Sequence, residues 1–419
     1  QYACCKGKSI RHKLLPLHKP YFMIQLSERL LAMEESATIA MAKKSRELKS
    51  QGKDIISLSL GEPDFHTPDF IKAAAVEALE QNYTTYTPVP GYDDLRESIA
   101  HKFKRDNNLT YTKDQIVVST GAKQSIANLV LSLINPGDEV IIPAPYWVSY
   151  LEIVKVAEGV PVVIAAGIDK DFKITGADLE AAITPKTKLL MFSTPCNPTG
   201  SVYSKAELQD LARVLAKYPQ VVAMSDEIYE HINFIGKHES LAQFPEIYNQ
   251  VVTVNGVSKA WAMTGWRLGY IGAPKEIAAA CDKVQGQFTS ATCSITQRAT
   301  IAAMNADPIV LKDMIAAFES RRNLVLSGLR NIPGLKVNNP GGAFYVFPDC
   351  SSYFGKSYNG QTIHTSDDLC MYLLEVALVA CVGGAAFGDP NCFRISYAAS
   401  EETLQKAVDR ISNALAQLQ

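Results

Sequence analysis

From residue 68 onward the chain alternates short apolar runs with segments of helix length. The runs at 115–118, 139–143, 161–165, 188–193, 220–224, 251–255 and 268–272 read as strands, and stretches such as 122–134, 146–158 and 204–217 read as the helices between them. This alternation predicts an α/β architecture, with a mostly parallel sheet covered by helices on both faces. In such sheets ligands sit beyond the carboxyl ends of the strands, so the residues just after each run are where chemistry is expected. A chain of 419 residues, 47% hydrophobic and 20% charged, is long enough for two domains and a large core.

The ends of the chain read differently. Residues 1–22 are basic, with Lys6, Lys8, Arg11, Lys13 and Lys19, and lack the apolar stretch of a signal peptide. They are expected to be an upstream or expression-derived leader. In the N-terminal segment 23–60, residues 24–50 carry helical periodicity, with Leu26, Leu30, Leu31, Ile39, Met41 and Leu48 on one side and Ser36 placed to cap a second helix; Gly52 ends it and 55–60 reads as a short strand. These helices are expected to pack with a small C-terminal domain at 308–419, leaving 61–307 as the large domain. The small domain begins with a long helix over 308–331. Strands at 335–338, 343–348 and 392–397 and helices near 366–376 and 401–418 give it an α+β pattern.

A net charge of −2 implies no nucleic-acid partner, and no apolar run is of membrane length. The cysteines at 4, 5, 196, 281, 293, 350, 370, 381 and 392 show no metal-ligand spacing and no CxxC pair. No metal site is expected, and the cysteine usage points to a reduced, cytoplasmic protein.

The residues after the strands carry the chemistry. Ser258-Lys259 follows the run ending in Gly256, and Arg267 lies eight residues beyond the lysine. A lysine among small and apolar residues is partly desolvated, which frees its amine as a nucleophile. A hydroxyl and a guanidinium nearby suit a phosphate. Thr120-Gly121-Ala122-Lys123-Gln124 opens a helix, whose N-terminal backbone groups bind anions. The same residues also suit a plain tight turn. Trp147 follows another strand and could stack on a planar ring or fill the core. In Thr194-Pro195-Cys196-Asn197-Pro198, two prolines stiffen the backbone around Asn197 and leave its amide for a ligand. Asp226 comes directly off an apolar strand, where a buried carboxylate needs a cation such as a protonated pyridine nitrogen, or else caps a helix. Tyr229 lies three residues on. Arg394 sits inside a C-terminal strand with no acidic neighbour in sequence, which suits a substrate carboxylate or a structural ion pair. The loop Gly61-Glu62-Pro63-Asp64-Phe65 lets bare backbone approach a ligand.

Together, Thr-Pro-Cys-Asn-Pro-Thr-Gly, Asp-Glu-Ile-Tyr and Ser-Lys followed by Gly-Trp-Arg-Leu-Gly resemble the class I, aspartate-type aminotransferases of the fold-type I pyridoxal-phosphate enzymes. The resemblance runs from about residue 23 to the C-terminus. It implies a seven-stranded large domain with a small α+β domain, pyridoxal 5'-phosphate as cofactor, and a homodimer with shared active sites. It further implies that Lys259 holds the cofactor as a Schiff base and shuttles the proton, with Asp226 on the pyridine nitrogen and Tyr229 and Asn197 on the ring hydroxyl. Trp147 would stack on the ring and also line the substrate site, and Gly121, Ala122, Ser258 and Arg267 would hold the phosphate, with Lys123 also at the cofactor. Tyr86 would reach the phosphate of the neighbouring subunit. Arg394, Gly61 and Asn197 would bind the substrate α-carboxylate. Ser36-Ala37-Thr38 and Gly121-Ala122-Lys123-Gln124 are similar to the prokaryotic-type branch, where Thr38 and Lys123 would serve the distal carboxylate. The implied reaction moves an amino group between aspartate, or another dicarboxylic amino acid, and 2-oxoglutarate by ping-pong kinetics. Prephenate is an alternative acceptor. A β C–S lyase on the same fold is a rival that Thr38 and Lys123 argue against. A non-catalytic regulator of this fold is disfavoured by filled catalytic positions.

Overall fold

A computed structural model describes residues 24–419, so the expected leader at 1–22 lies outside the described residues. Its centre is a seven-stranded sheet. From one edge to the other the strands are Ile116–Ser119, Gly269–Gly272, Val251–Gly256, Val222–Asp226, Thr187–Ser193, Glu139–Ala144 and Val160–Ala165. All pairings are parallel except those of Gly269–Gly272, which runs against both neighbours.

Side chains alternate across this sheet as strand geometry demands. Leu190 and Phe192 face one apolar cluster with Ala223, and Leu189 and Met191 face another with Met224, Val252 and Val254. Both faces are covered, which is why the strands read as unbroken apolar runs.

The helix Lys205–Leu215 shows how the covering layer is specified. Ser204 Oγ accepts from Glu207 N at 3.3 Å, while Glu207 Oε2 accepts from Ser204 N at 2.7 Å. This reciprocal cap fixes the first turn, and losing such a cap costs about 1 kcal/mol. Leu208, Leu211, Ala212 and Leu215 then fall on one face and are buried against the sheet.

A second, smaller sheet has the antiparallel order Val382–Gly383, Phe393–Ser396, Tyr345–Val346. The helix Lys312–Arg330 packs beside Glu401–Leu415 next to it. Ile56–Ser57 pairs in parallel with Val379–Ala380, tying the N-terminal segment to this part of the chain. No helix among the described residues is long and apolar enough to cross a membrane.

Three local expectations are corrected or refined. The run 335–338 forms no strand, only an isolated bridge between Lys336 and Asp349. The expected helix near 366–376 is present, α-helical over Ser366–Tyr372 and continuing as a π turn to Ala377, closed by Leu378 at φ 56°. The apolar side of residues 24–50 is covered only in part: Met41 and Leu48 are half-buried and pack against Ile55, Leu374 and Ala380. Leu26, Leu30, Leu31 and Ile39 are exposed, and the buried positions of the helix Ala37–Ser50 are Ala42 and Ser45. Ser36 occupies the N-cap of that helix without a side-chain capping bond.

Candidate active site

Asp226 is the last residue of its strand, and Asn197, Trp147 and Lys259 follow the ends of theirs. Because these strands run parallel, their carboxyl ends meet on one side of the sheet. There they line a cavity of about 370 Å³ with Thr38, Gly61, Ala122, Lys123, Tyr229, Ser258, Arg267 and Arg394. The small sheet contributes Arg394 and Tyr345, and the N-terminal segment contributes Thr38.

Lys259 Nζ donates to the Gly61 carbonyl at 2.5 Å, beside the Tyr229 and Phe344 rings at 5.7 and 5.8 Å. Burial lowers its ammonium to about 8, and the charge of Arg394 adds to the shift. An amine with that titration is part neutral near neutrality and therefore nucleophilic. Asp226 is buried, and its carboxyl is raised by burial to about 6. Its Oδ2 accepts from the Tyr150 hydroxyl at 2.7 Å and its Oδ1 from Ile228 N at 3.2 Å, so it caps a turn and not a helix. Tyr229, also buried, shares a hydrogen bond of 2.9 Å with the Tyr345 hydroxyl.

Arg394 is 1% exposed and lies between the Tyr345 and Phe387 rings, at 4.7 and 4.9 Å. Its Nη1 donates to Asn197 Oδ1 at 2.9 Å, and its Nη2 to the Ser59 carbonyl at 2.6 Å and to Thr38 Oγ1 at 3.5 Å. Nε has no partner. The arrangement holds a buried cation on neutral oxygens, with no carboxylate beside it among the described residues, which suits an incoming anion.

The phosphate-type turn is built by close approach. Gly121, at φ +85°, precedes the helix Ala122–Leu133, and a Cβ on it would lie 2.3 Å from Arg267 Nη2. A Cβ on Gly269 would lie 2.2 Å from the Ala122 nitrogen, so the reversed strand can pass the helix start only as glycine. The guanidinium thus closes over a helix N-terminus, whose first N–H groups lack partners inside the helix. Lys123 Nζ lies 4.9 Å from the Trp147 ring centroid.

Tyr86 stands apart. It is 99% exposed and does not line the cavity. Sequence reasoning missed Tyr150, Tyr345 and Glu62, all of which line it. Tyr150 had a signal, since it lies three residues after Trp147 and so on the same side of a helical turn. Tyr345 had none, because a tyrosine in a short apolar run reads as core. Glu62, whose carboxylate accepts from the Thr264 hydroxyl, had a weak one beside Gly61.

Residues 53–411 match the model of the class I and II aminotransferases. A bifunctional aspartate aminotransferase and glutamate/aspartate-prephenate aminotransferase of Petunia hybrida is 47% identical over 397 residues, spanning 94% of this chain and 83% of its own. An aspartate/prephenate aminotransferase of Cereibacter sphaeroides is 48% identical over 392 residues, spanning 93% of this chain and 98% of its own. Among solved structures, the aspartate aminotransferase of Rhizobium meliloti superposes with a TM-score of 0.92 at 44% identity, covering 94% of this chain and all (100%) of that one. The chain belongs to the class I and II aminotransferase family. It is a transaminase of the fold-type I architecture.

Proposed function

We propose that this transaminase moves the amino group of L-aspartate to 2-oxoglutarate, with pyridoxal 5'-phosphate carried on Lys259. The observation that carries the reading is one cavity holding a depressed amine, a buried carboxylate and a buried guanidinium with a free Nε. Residues 61–307 hold the cofactor in this reading, while 308–419 with the helices of 23–60 bring the α-carboxylate site.

The residues present fit the cofactor. Arg267 and the helix start at Gly121-Ala122, together with Ser258, suit its phosphate, and only glycine at 121 leaves room for that guanidinium. Asp226 suits a protonated ring nitrogen, because burial makes its charge costly without a cation. Tyr229 and Asn197 suit the ring hydroxyl, and Trp147 suits the ring face. When bound, the cofactor supplies an electron sink for charge left at the substrate Cα.

The chain's own residues do the rest. Arg394, helped by Asn197 and the Gly61 backbone, orients the α-carboxylate. Lys259, once free, takes the Cα proton and returns it as general base and acid, which a titration near 8 favours at neutral pH. Tyr345, on Tyr229 at 2.9 Å, holds that phenol in place. Lys123 and Thr38 are the proposed partners of the distal carboxylate. Prephenate is a second proposed acceptor, favoured by Ile39 and Leu60, exposed apolar side chains on the cavity wall that suit a carbocyclic body.

Borohydride treatment of the cofactor-loaded protein, followed by peptide mapping, tests the central claim. The label is expected on Lys259. A label on another lysine, or no visible chromophore, would remove it.

A further inference from the structure

Next to the site residues in sequence lies a buried ionic network that takes no part in the chemistry above. Lys102, Asn107, Glu230 and Asn255 are all buried. Glu230 Oε1 takes the Lys102 ammonium, and also Asn255 Nδ2 at 2.8 Å. Its Oε2 takes Asn107 Nδ2 at 2.8 Å, and Lys102 Nζ also donates to Asn107 Oδ1 at 3.0 Å. Glu227 lies alongside, bonded to the Ser225 and Ser240 hydroxyls at 2.8 Å each and to His238 Nε2 at 2.9 Å.

Burial would raise the Glu230 carboxyl, but the charges of Lys102, His231 and His238 outweigh it and hold it well below the usual carboxylate range. The other charged groups around it are Asp106, 3.9 Å from Lys102 and 3.7 Å from His231, and Arg105, which pairs with Asp106. Glu227, Glu230 and His238 place their ligating atoms within 4.8 Å of one another. Lys102 pairs with Glu230, and His238 Nε2 pairs with Glu227, whose charge outweighs burial and raises the imidazole, so each carboxylate already has a partner.

Stability alone is a weak reason for such a network, because apolar side chains of similar volume often replace a buried ion pair at no loss. Its connections suggest another use. Glu230 follows Tyr229 directly. Asn255 donates to Glu230 and, through Oδ1, accepts from Gly256 N at 2.7 Å, three residues before Lys259. Glu227 N adds a backbone bond to the Val254 carbonyl at 2.9 Å. One side chain therefore links the turn that carries Asp226 and Tyr229 to the segment that carries Lys259.

We propose that Glu230, held by Lys102 and Asn107, is a positioning residue that fixes Lys259 relative to Asp226 and Tyr229 through Asn255. Removing the Asn255 link lets the Gly256–Lys259 segment shift and admits water to the amine. The amine then titrates higher, closer to an ordinary lysine, and proton transfer at the substrate slows. This rests on the reading of Lys259 as the reactive amine.

The test titrates Lys259 in the full-length, cofactor-free chain by competitive amine labelling across pH. It also measures kcat in the loaded enzyme. Asn255→Ala is expected to raise the Lys259 midpoint by roughly half a pH unit or more and to lower kcat about tenfold or more. Glu230→Met combined with Lys102→Met removes both buried charges and the oxygen that Asn255 binds, and is expected to raise the midpoint as Asn255→Ala does. Glu230→Gln combined with Lys102→Met keeps that oxygen and is expected to stay near the wild type. An unmoved midpoint in the first pair, or an equal rise in both, would overturn the role of Glu230. A lowered melting temperature with an unmoved Lys259 midpoint in Asn255→Ala would overturn the proposal and leave the network a structural role. If Asn255→Ala does not fold, Asn255→Ser is read by the same criterion. A wild-type chain whose Lys259 titrates near 8 but binds no pyridoxal 5'-phosphate would sink the functional reading and leave the positioning role standing.

Discussion

The Tyr150 hydroxyl donates to Asp226 Oδ2 at 2.7 Å, inside the apolar cluster that covers one face of the central sheet. Burial raises Asp226, and the bond from Tyr150 is the largest influence pulling it back. Tyr150→Phe removes that donor while keeping the ring. The carboxyl then titrates above about 6, and a smaller fraction is ionised in weak acid. A hydrogen bond to a charged group is worth roughly 1.5–3 kcal/mol. The affinity for pyridoxal 5'-phosphate, followed by fluorescence titration, is therefore expected to fall in Tyr150→Phe, and to fall further at pH 6 than at pH 8. An equal loss at both values would show that Tyr150 acts through packing alone.

Lys123 and Arg394 divide the cavity's cationic work in a way that makes substrate choice testable. Arg394 already spends its Nη atoms on Asn197, Ser59 and Thr38 and offers Nε. A second substrate carboxylate needs another cation, and Lys123 lines the same cavity over Trp147. Lys123→Ala is expected to lower kcat/KM for aspartate and glutamate about 10- to 150-fold, the equivalent of roughly 1.5–3 kcal/mol. Alanine and aromatic donors should be nearly unaffected. A uniform loss across donors would assign Lys123 to the cofactor or the fold.

The order of these elements was legible because both faces of the large sheet are buried. Thr187–Ser193 could not alternate polar with apolar residues, so it stood out as a run, and Asn197 was found by its place just beyond it. The reversal of Gly269–Gly272 was not legible, since an apolar run carries no sign of its direction. The pairing of Ile56–Ser57 with Val379–Ala380 spans two residues on each strand and leaves no periodicity to read. For the N-terminal helices, periodicity located an apolar side but not how much of it is covered, which is only the part at Met41 and Leu48. Leu30, Leu31 and Ile39 are exposed within one chain. Tyr150 and Tyr345 escaped because their roles depend on which strand ends meet, and an isolated tyrosine between apolar neighbours looks like core.

Tyr86 gives the proposed dimer a direct test. Its side chain is 99% exposed and touches none of its own cavity. If it serves a neighbouring subunit, mixed dimers of Tyr86→Phe and Lys259→Ala chains should regain activity, because one of the two shared sites is then intact in both residues. Each parent alone should be impaired. Activity of the mixture no greater than the sum of its parents, or a fully active monomer in sedimentation, would refute the shared site.

Asp226 places a cost on the cofactor-free fold that can be measured directly. Its carboxyl is raised from 3.8 to about 6, mainly by burial. Between those values the folded chain binds more protons than the unfolded one, so stability falls as pH rises through that window and stays low above it. At 1.36 kcal/mol per unit, the penalty at neutral pH is on the order of 3 kcal/mol. Asp226→Asn keeps an oxygen for Tyr150 but cannot ionise. In the cofactor-free chain it is expected to be more stable than the wild type at pH 7, with the difference vanishing toward pH 4, as followed by urea denaturation. In the presence of pyridoxal 5'-phosphate the order should reverse, because only the carboxylate gains a charged partner on the ring nitrogen. A destabilised Asp226→Asn at pH 7 without cofactor would show that the carboxylate is well solvated there. The buried-acid account of this site would then fail.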